Sequence, residues 1–302
     1  MNHITKKLLA LLFLAANSLG AHAAINVLAC EPEWEALTNE LGGDKVKTSS
    51  ATNALQDPHR IEARPGLIAR TRNADLVVCT GLELEAGWLP VLIQQSANAK
   101  IATGQPGNFA AGSFVPRLDV PTKLDRSEGD VHASGNPHIQ QNPHNIALVA
   151  AALSKRLAEI DPANGAYYQG RYKDFSARWS AAMLKWEQQA APLRNVAVVE
   201  HHKNMEYLMN WLGLRQVGTL EAKPGVEPSA AQLGQLLSQL QRQPAKMVLR
   251  AAYQDPRAST WLSEHAAIPA VVLPFSVGAD AQSKDLFSLF DTTVQRLLAA
   301  AK

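Results

Sequence analysis

Residues 164–199 read NGAYYQGRYKDFSARWSAAMLKWEQQAAPLRNVAVV, and two different periods meet in that stretch. Tyr168, Tyr172, Phe175, Trp179, Met183 and Trp186 recur at steps of three and four, which places them on one face of an α-helix. A stripe of this kind is core packing. After Pro192 the helical period ends, and Val196-Ala197-Val198-Val199 reads as a strand buried on both faces. At about 1.5 Å per residue, a helix of roughly 30 residues is long enough to cross a whole domain. It is expected to act as a rigid strut between two lobes.

The same alternation of short apolar runs and amphipathic helical segments extends outward on both sides. Upstream, strands are expected at Ile25 to Ala29, near Val46 to Ser49, and at Ala74 to Val78. Helices are expected around Trp34 to Leu41, Pro65 to Asn73, Leu84 to Gln94, and from Asn142-Pro143 to Ile160. The irregular stretch from Gly104 to Pro137 is too long for an ordinary connection, so it is expected to hold a hairpin or a mobile loop beside a ligand. Downstream, strands near Val217 to Leu220, Met247 to Arg250 and Ala270 to Leu273 alternate with helices at Asn204 to Leu212, Ser229 to Gln241, Pro256 to His265 and Lys284 to Ala300. The expected class is α/β, with two lobes that are each a parallel sheet flanked by helices, joined by the long helix. The expected boundaries are 24–163 for the first lobe, 164–192 for the linking helix and 193–302 for the second.

Residues 1–23 have the marks of a secretory signal peptide: Lys6 and Lys7, an apolar run from Leu8 to Ala16, and the small-residue site Ala21-His22-Ala23. The mature chain is expected to begin at Ala24, exported to the periplasm and soluble. A competing reading makes the protein a lipoprotein acylated at Cys30. Without the two leader lysines, 27 basic residues face 27 acidic ones. That balance, with no basic run, argues against nucleic-acid binding. Two cysteines cannot build a disulfide scaffold, but Cys30 and Cys79 each end a strand candidate, so one bridge and two buried thiols are both open.

Histidines carry the functional signal. His59 follows Asp57-Pro58, His138 follows Asn136-Pro137, and His201-His202 directly follow the strand at 196–199. In open parallel sheets ligands gather beyond the carboxyl ends of strands, and imidazole is a frequent neutral metal ligand. Three imidazoles on separate segments suit a site that assembles only in the folded chain. Successive side chains diverge at a strand end, so only one of His201 and His202 points inward. His132, His144 and His265 lie outside this pattern and are read as solvated. A fourth ligand could come from Asp280, from Glu31 or from water, with Asp280 first.

The order of motifs along nearly the whole mature chain resembles the periplasmic metal-binding proteins of zinc and manganese ABC transporters. Those motifs are Leu41-Gly42-Gly43-Asp44; Asp57-Pro58-His59 with Glu62 and Pro65; Ala74-Asp75-Leu76 leading to Gly81-Leu82-Glu83-Leu84-Glu85; Asn136-Pro137-His138; and His202 before Tyr207 and Gly213-Leu214. The resemblance implies two lobes with metal held between them and delivery to a membrane permease, the binding protein acting as a monomer. It selects His202 over His201, giving a metal set of His59, His138, His202 and Asp280. A histidine in the third position resembles the zinc branch, and an all-imidazole set suits zinc better than manganese. Two departures stand out. The family's histidine-rich loop is reduced to His132, so auxiliary metal capture there is expected to be weak or absent. Phe275 stands where an aspartate is often the fourth ligand.

Other classes fit less well. A secreted zinc hydrolase would need a general base and an open cleft, and no His-Glu-x-x-His helix is present. An adhesin would need an anchor that the sequence does not show. A manganese- or iron-binding protein of the same type is the nearest alternative.

Overall fold

The computed structural model describes residues 23–123 and 129–302. The signal-peptide reading falls on residues outside that range, apart from Ala23. The first sheet comprises β1 (Ile25–Ala29), β2 (Val46–Ser50), β3 (Leu76–Cys79) and β4 (Asn108–Ala110), all parallel, in the order β2-β1-β3-β4. Helices α1 (Pro32–Gly42), α2 (Pro65–Arg72), α3 (Leu89–Ser96) and α4 (Pro143–Ile160) accompany it. Helix α5 (Gly165–Ala190) then leads to the second sheet, with β5 (Ala197–Glu200), β6 (Arg215–Thr219), β7 (Met247–Ala251) and β8 (Ala270–Leu273) in the order β6-β5-β7-β8. Around it lie α6 (Glu206–Leu212), α7 (Ala230–Leu240), α8 (Arg257–Ala266) and α9 (Leu286–Ala300). One topology is thus used twice. In both sheets the first strand is central and the connections leave it on opposite sides, so each has a crevice at its carboxyl edge.

The central strands are buried because both faces are covered. Val27, Leu28 and Ala29 of β1 and Val198 and Val199 of β5 are fully enclosed, which is why each read as an apolar run rather than an alternation. The aromatic stripe of α5 packs as expected: Tyr168, Phe175, Trp179 and Trp186 are buried. Phe287 and Phe290 of α9 meet it edge-on, with Trp179–Phe287 ring centres 4.9 Å apart and Trp186–Phe290 centres 5.1 Å apart in a tilted pair. Trp186 donates to Asp291 Oδ1 at 2.7 Å, and Trp179 to the Pro143 carbonyl at 2.9 Å. One core runs continuously through Trp34 and Val78 of the first lobe, this stripe, and Leu249 and Leu273 of the second.

Two expectations need correction and one open question closes. The stretch from Gly104 to Pro137 contains a fourth parallel strand, β4, rather than a hairpin; only Phe109 of its three residues is buried, too little for a pattern to register. Helix α3 begins at Leu89, five residues after the expected start. Leu82 and Glu83 take left-handed backbone angles, and the Glu85 carboxylate accepts from the amides of Thr80 and Gly81, so the chain turns there before it can coil. Cys30 and Cys79 form a disulfide between the ends of β1 and β3, Cα atoms 4.7 Å apart, which closes the open question about them. Cys30 is fully buried in that bridge.

Candidate metal centre

The first histidine is set by its own loop. Trp88 donates its indole N–H to the Pro58 carbonyl at 2.9 Å, fastening the Asp57-Pro58-His59 turn to the lobe. Asp57 Oδ1 accepts the His59 amide at 3.0 Å and lies 2.7 Å from its Nδ1. A carboxylate can only accept, so Nδ1 carries the proton and Nε2 is left with its lone pair. That Nε2 is buried and has no partner. Burial pushes Asp57 up, but the hydrogen bonds from His59 outweigh it and hold the carboxylate below its ordinary range.

His138 sits on the segment that crosses between lobes. Asn136 accepts the His138 amide at 3.0 Å through its side-chain oxygen, while its side-chain nitrogen donates to the Lys203 carbonyl at 2.9 Å. Tyr207 donates to the Asn136 carbonyl at 3.0 Å. The His138 ring is buried against Phe275, and its Nδ1 has no partner. Burial, then the neighbouring His59 and His202, holds His138 well below the ordinary imidazole pKa, so it is neutral and able to ligate without releasing a proton.

The third segment follows β5. His202 Nδ1 lies 2.7 Å from Glu221 Oε2, which also accepts the Gly225 amide at 2.7 Å. His202 therefore has the same arrangement as His59: a carboxylate behind Nδ1, with Nε2 left for a ligand. Carboxylates behind ligating histidines fix the tautomer and raise basicity. Asp57 and Glu221 were not singled out in the sequence. Asp57 could have been, from its place two residues before His59. Glu221 had no local cue; it arrives through the β5–β6 register, in which its amide donates to the His201 carbonyl at 3.0 Å.

His59, His138 and His202 thus come together, each offering one nitrogen, with these atoms all within 4.8 Å of one another. His201 turns away; its Nε2 is 3.6 Å from Glu221 Oε1, and burial lowers its pKa. Asp280 is not in the group, against expectation. Its carboxylate is taken by Arg296 at 2.6 Å, by Ser283 and by the Gln282 amide, in a loop closed by the Gly278 amide on the Ser283 carbonyl. Glu31 is also elsewhere, accepting from the Thr80 hydroxyl at 3.0 Å. His132 is not solvated as expected: its ring stacks on His59 with centres 5.4 Å apart, and its Nε2 is buried without a partner. His144 does lie outside, paired with Glu187 at 2.7 Å, and His265 stacks on Trp261.

Residues 27–300 match the family described as zinc-uptake complex component A, periplasmic. The chain belongs to this family. It is a substrate-binding component of a metal ABC transporter, acting outside the cytoplasm with a metal ion and a membrane permease as partners, and not an enzyme. Among relatives, it is 24% identical over 283 residues to the metal ABC transporter substrate-binding lipoprotein SloC of Streptococcus mutans, covering 91% of this chain and 89% of that one. It is also 24% identical over 254 residues to the manganese ABC transporter substrate-binding lipoprotein PsaA of Streptococcus pneumoniae, covering 82% and 79%. The crystal structure of ZnuA superposes with a TM-score of 0.77 over 92% of this chain and all of that one; at 23% identity the likeness speaks to the fold. Among the described residues, no helix is long and apolar enough to cross a membrane.

Proposed function

We propose that the protein captures zinc in the periplasm with His59, His138 and His202, between a first lobe at 24–163 and a second at 193–302, and hands it to its permease as a monomer. The observation that carries this reading is the convergence of three imidazole nitrogens within 4.8 Å, two of them backed by carboxylates. The donor set supports zinc over manganese. Among the described residues no carboxylate oxygen joins the three nitrogens, whereas manganese leans toward oxygen and zinc accepts imidazole at about 2.0–2.1 Å in tetrahedral geometry. His59 is held by the first lobe and His202 by the second, so an ion bound by both links them.

A manganese reading is kept alive by PsaA, whose name specifies that metal. Thermal melting of metal-stripped protein separates the two. Zinc at a thousandfold excess over its Kd is expected to stabilise the native state by about 4 kcal/mol. Zinc should shift the midpoint more than manganese at equal concentration; a larger manganese shift overturns the zinc reading, and no shift with either overturns the site.

A further inference from the structure

We propose that His132 is the fourth ligand of this metal site, delivered by a strap of chain at 129–136 that is tied to both lobes. The inference rests on the three-histidine reading above and names what fills its open position.

Two imidazoles on one tetrahedral ion, with metal–nitrogen bonds of about 2.0–2.1 Å, have ring centres about 5 Å apart. The three histidines of the cluster approach that spacing, at 5.3, 5.9 and 6.0 Å. His132 stands 5.4 Å from His59, inside the same range, and meets the cluster through that ring alone; its nitrogens lie outside the group of three, so ligation requires its ring to shift toward the ion. Its Nε2 is buried without a hydrogen-bond partner, as is Nε2 of His59. Buried polar atoms are nearly always partnered, and two orphaned imidazole nitrogens on contacting rings are accounted for together by one ion. A cavity of about 250 Å³ beside them is lined by His132, His138, His202, Val131, Asp130 and Pro224, so the strap itself forms one wall of the site.

The strap is fixed at several points. Ala133 donates its amide to Glu83 Oε2 at 2.8 Å and Ser134 its hydroxyl to Glu83 Oε1 at 3.3 Å, both on the first lobe. On the second lobe's side, the Asp130 amide donates to the Pro224 carbonyl at 2.9 Å. The approach there is too close for side chains. A Cβ on Gly129, which has φ +90°, would stand 2.3 Å from the Pro224 carbonyl oxygen; one on Gly225, with φ +76°, would stand 2.2 Å from Asp130 Oδ2. His132 lies between these anchors, held over His59 rather than hanging from a free loop.

X-ray absorption on the zinc-loaded full chain tests this without any variant. Four imidazole ligands are expected; three imidazoles and an oxygen overturn the proposal. In His132→Ala the imidazole count should fall by one, the cobalt(II) visible spectrum should change, and zinc Kd should rise by at least about tenfold. Gly129→Val keeps the imidazole but displaces the strap, and should also weaken zinc binding. Melting of the metal-free variants checks that they fold, and His144→Ala is the control. An unchanged spectrum and affinity in His132→Ala overturn the proposal. Loss of zinc in His59→Ala alongside that result would leave the three-histidine reading standing; no loss in either would sink both.

Discussion

Near the carboxyl ends of β1 and β3 the molecule buries Glu31, Glu33 and Glu85, and elsewhere it buries His138 and His202 beside a half-buried His59. Both are groups of titratable side chains removed from water, yet their hydrogen bonding differs in kind. The carboxyl groups spend their oxygens on the protein. Glu85 accepts from the Thr80 and Gly81 amides, Glu31 from the Thr80 hydroxyl, and Glu33 from the Ser276 hydroxyl at 2.5 Å across the lobes. Only Glu31 Oε1 is left over. The histidines satisfy one nitrogen, or neither, and turn the rest toward a common point. Burial alone therefore does not mark a site; unspent donor atoms that converge do. Cys30 and Cys79 beside Glu85 make the same point, since their sulfurs are spent on each other.

The largest expected effect comes from removing a converging nitrogen. His138→Ala should weaken zinc binding by about a hundredfold or more in a chelator competition, because a lost ligand costs at least what a lost supporting partner does. Glu85→Gln and Asp280→Asn should leave zinc affinity unchanged. An equal loss in all three would erase the distinction between the clusters. Next in size is Glu221→Gln, which keeps the shape but removes the charge behind His202. A loss of roughly 10- to 100-fold in zinc affinity is expected, with His202 still ligating. If Glu221→Gln binds zinc like the parent, the carboxylate is only packing.

The smallest effect is in stability against pH, and the two clusters pull in opposite directions. Burial pushes Glu33 and Glu85 up to about 7, above their ordinary 4.5. The native state then holds protons that the unfolded chain has released, so their contribution is present at pH 4.5 and is lost as pH rises through 7. Burial lowers His138 well below 6.5, and burial followed by His59 lowers His132 to about 4; their contribution is present above pH 6.5 and lost as pH falls below it. Melting of metal-free Glu85→Gln should therefore decline less between pH 5 and 8 than the parent. A parallel profile would show that Glu85 ionises normally.

Much of this was readable before any coordinates. The two parallel sheets announced themselves because strands covered on both faces become apolar runs, and α5 because its stripe keeps one period throughout. His59 and His138 were flagged by prolines just before them and the pair His201-His202 by a strand just before it, with His202 singled out only by the family resemblance. What escaped was set by contacts distant in sequence. Arg296, sixteen residues after Asp280, removes the expected fourth ligand. His132 gave no periodic signal; its orphaned nitrogen and its position over His59 exist only once the strap is laid across both lobes. The two cysteines were legible as strand ends, but the choice between a bridge and two thiols needed the pairing of β1 with β3.

Helix α5 has a mechanical consequence. Its 26 residues make a beam about 39 Å long, laminated along one side by the aromatic rings of α9. Bending such a beam means separating Trp179, Trp186, Phe287 and Phe290 from one another, an opening of the core rather than the flexing of a joint. The molecule's compliance is consequently concentrated at the rim, in the segments that carry the histidines. Whatever yields when the ion leaves is a few hydrogen bonds of the strap and of the loops beyond the strands, not the spine beneath them.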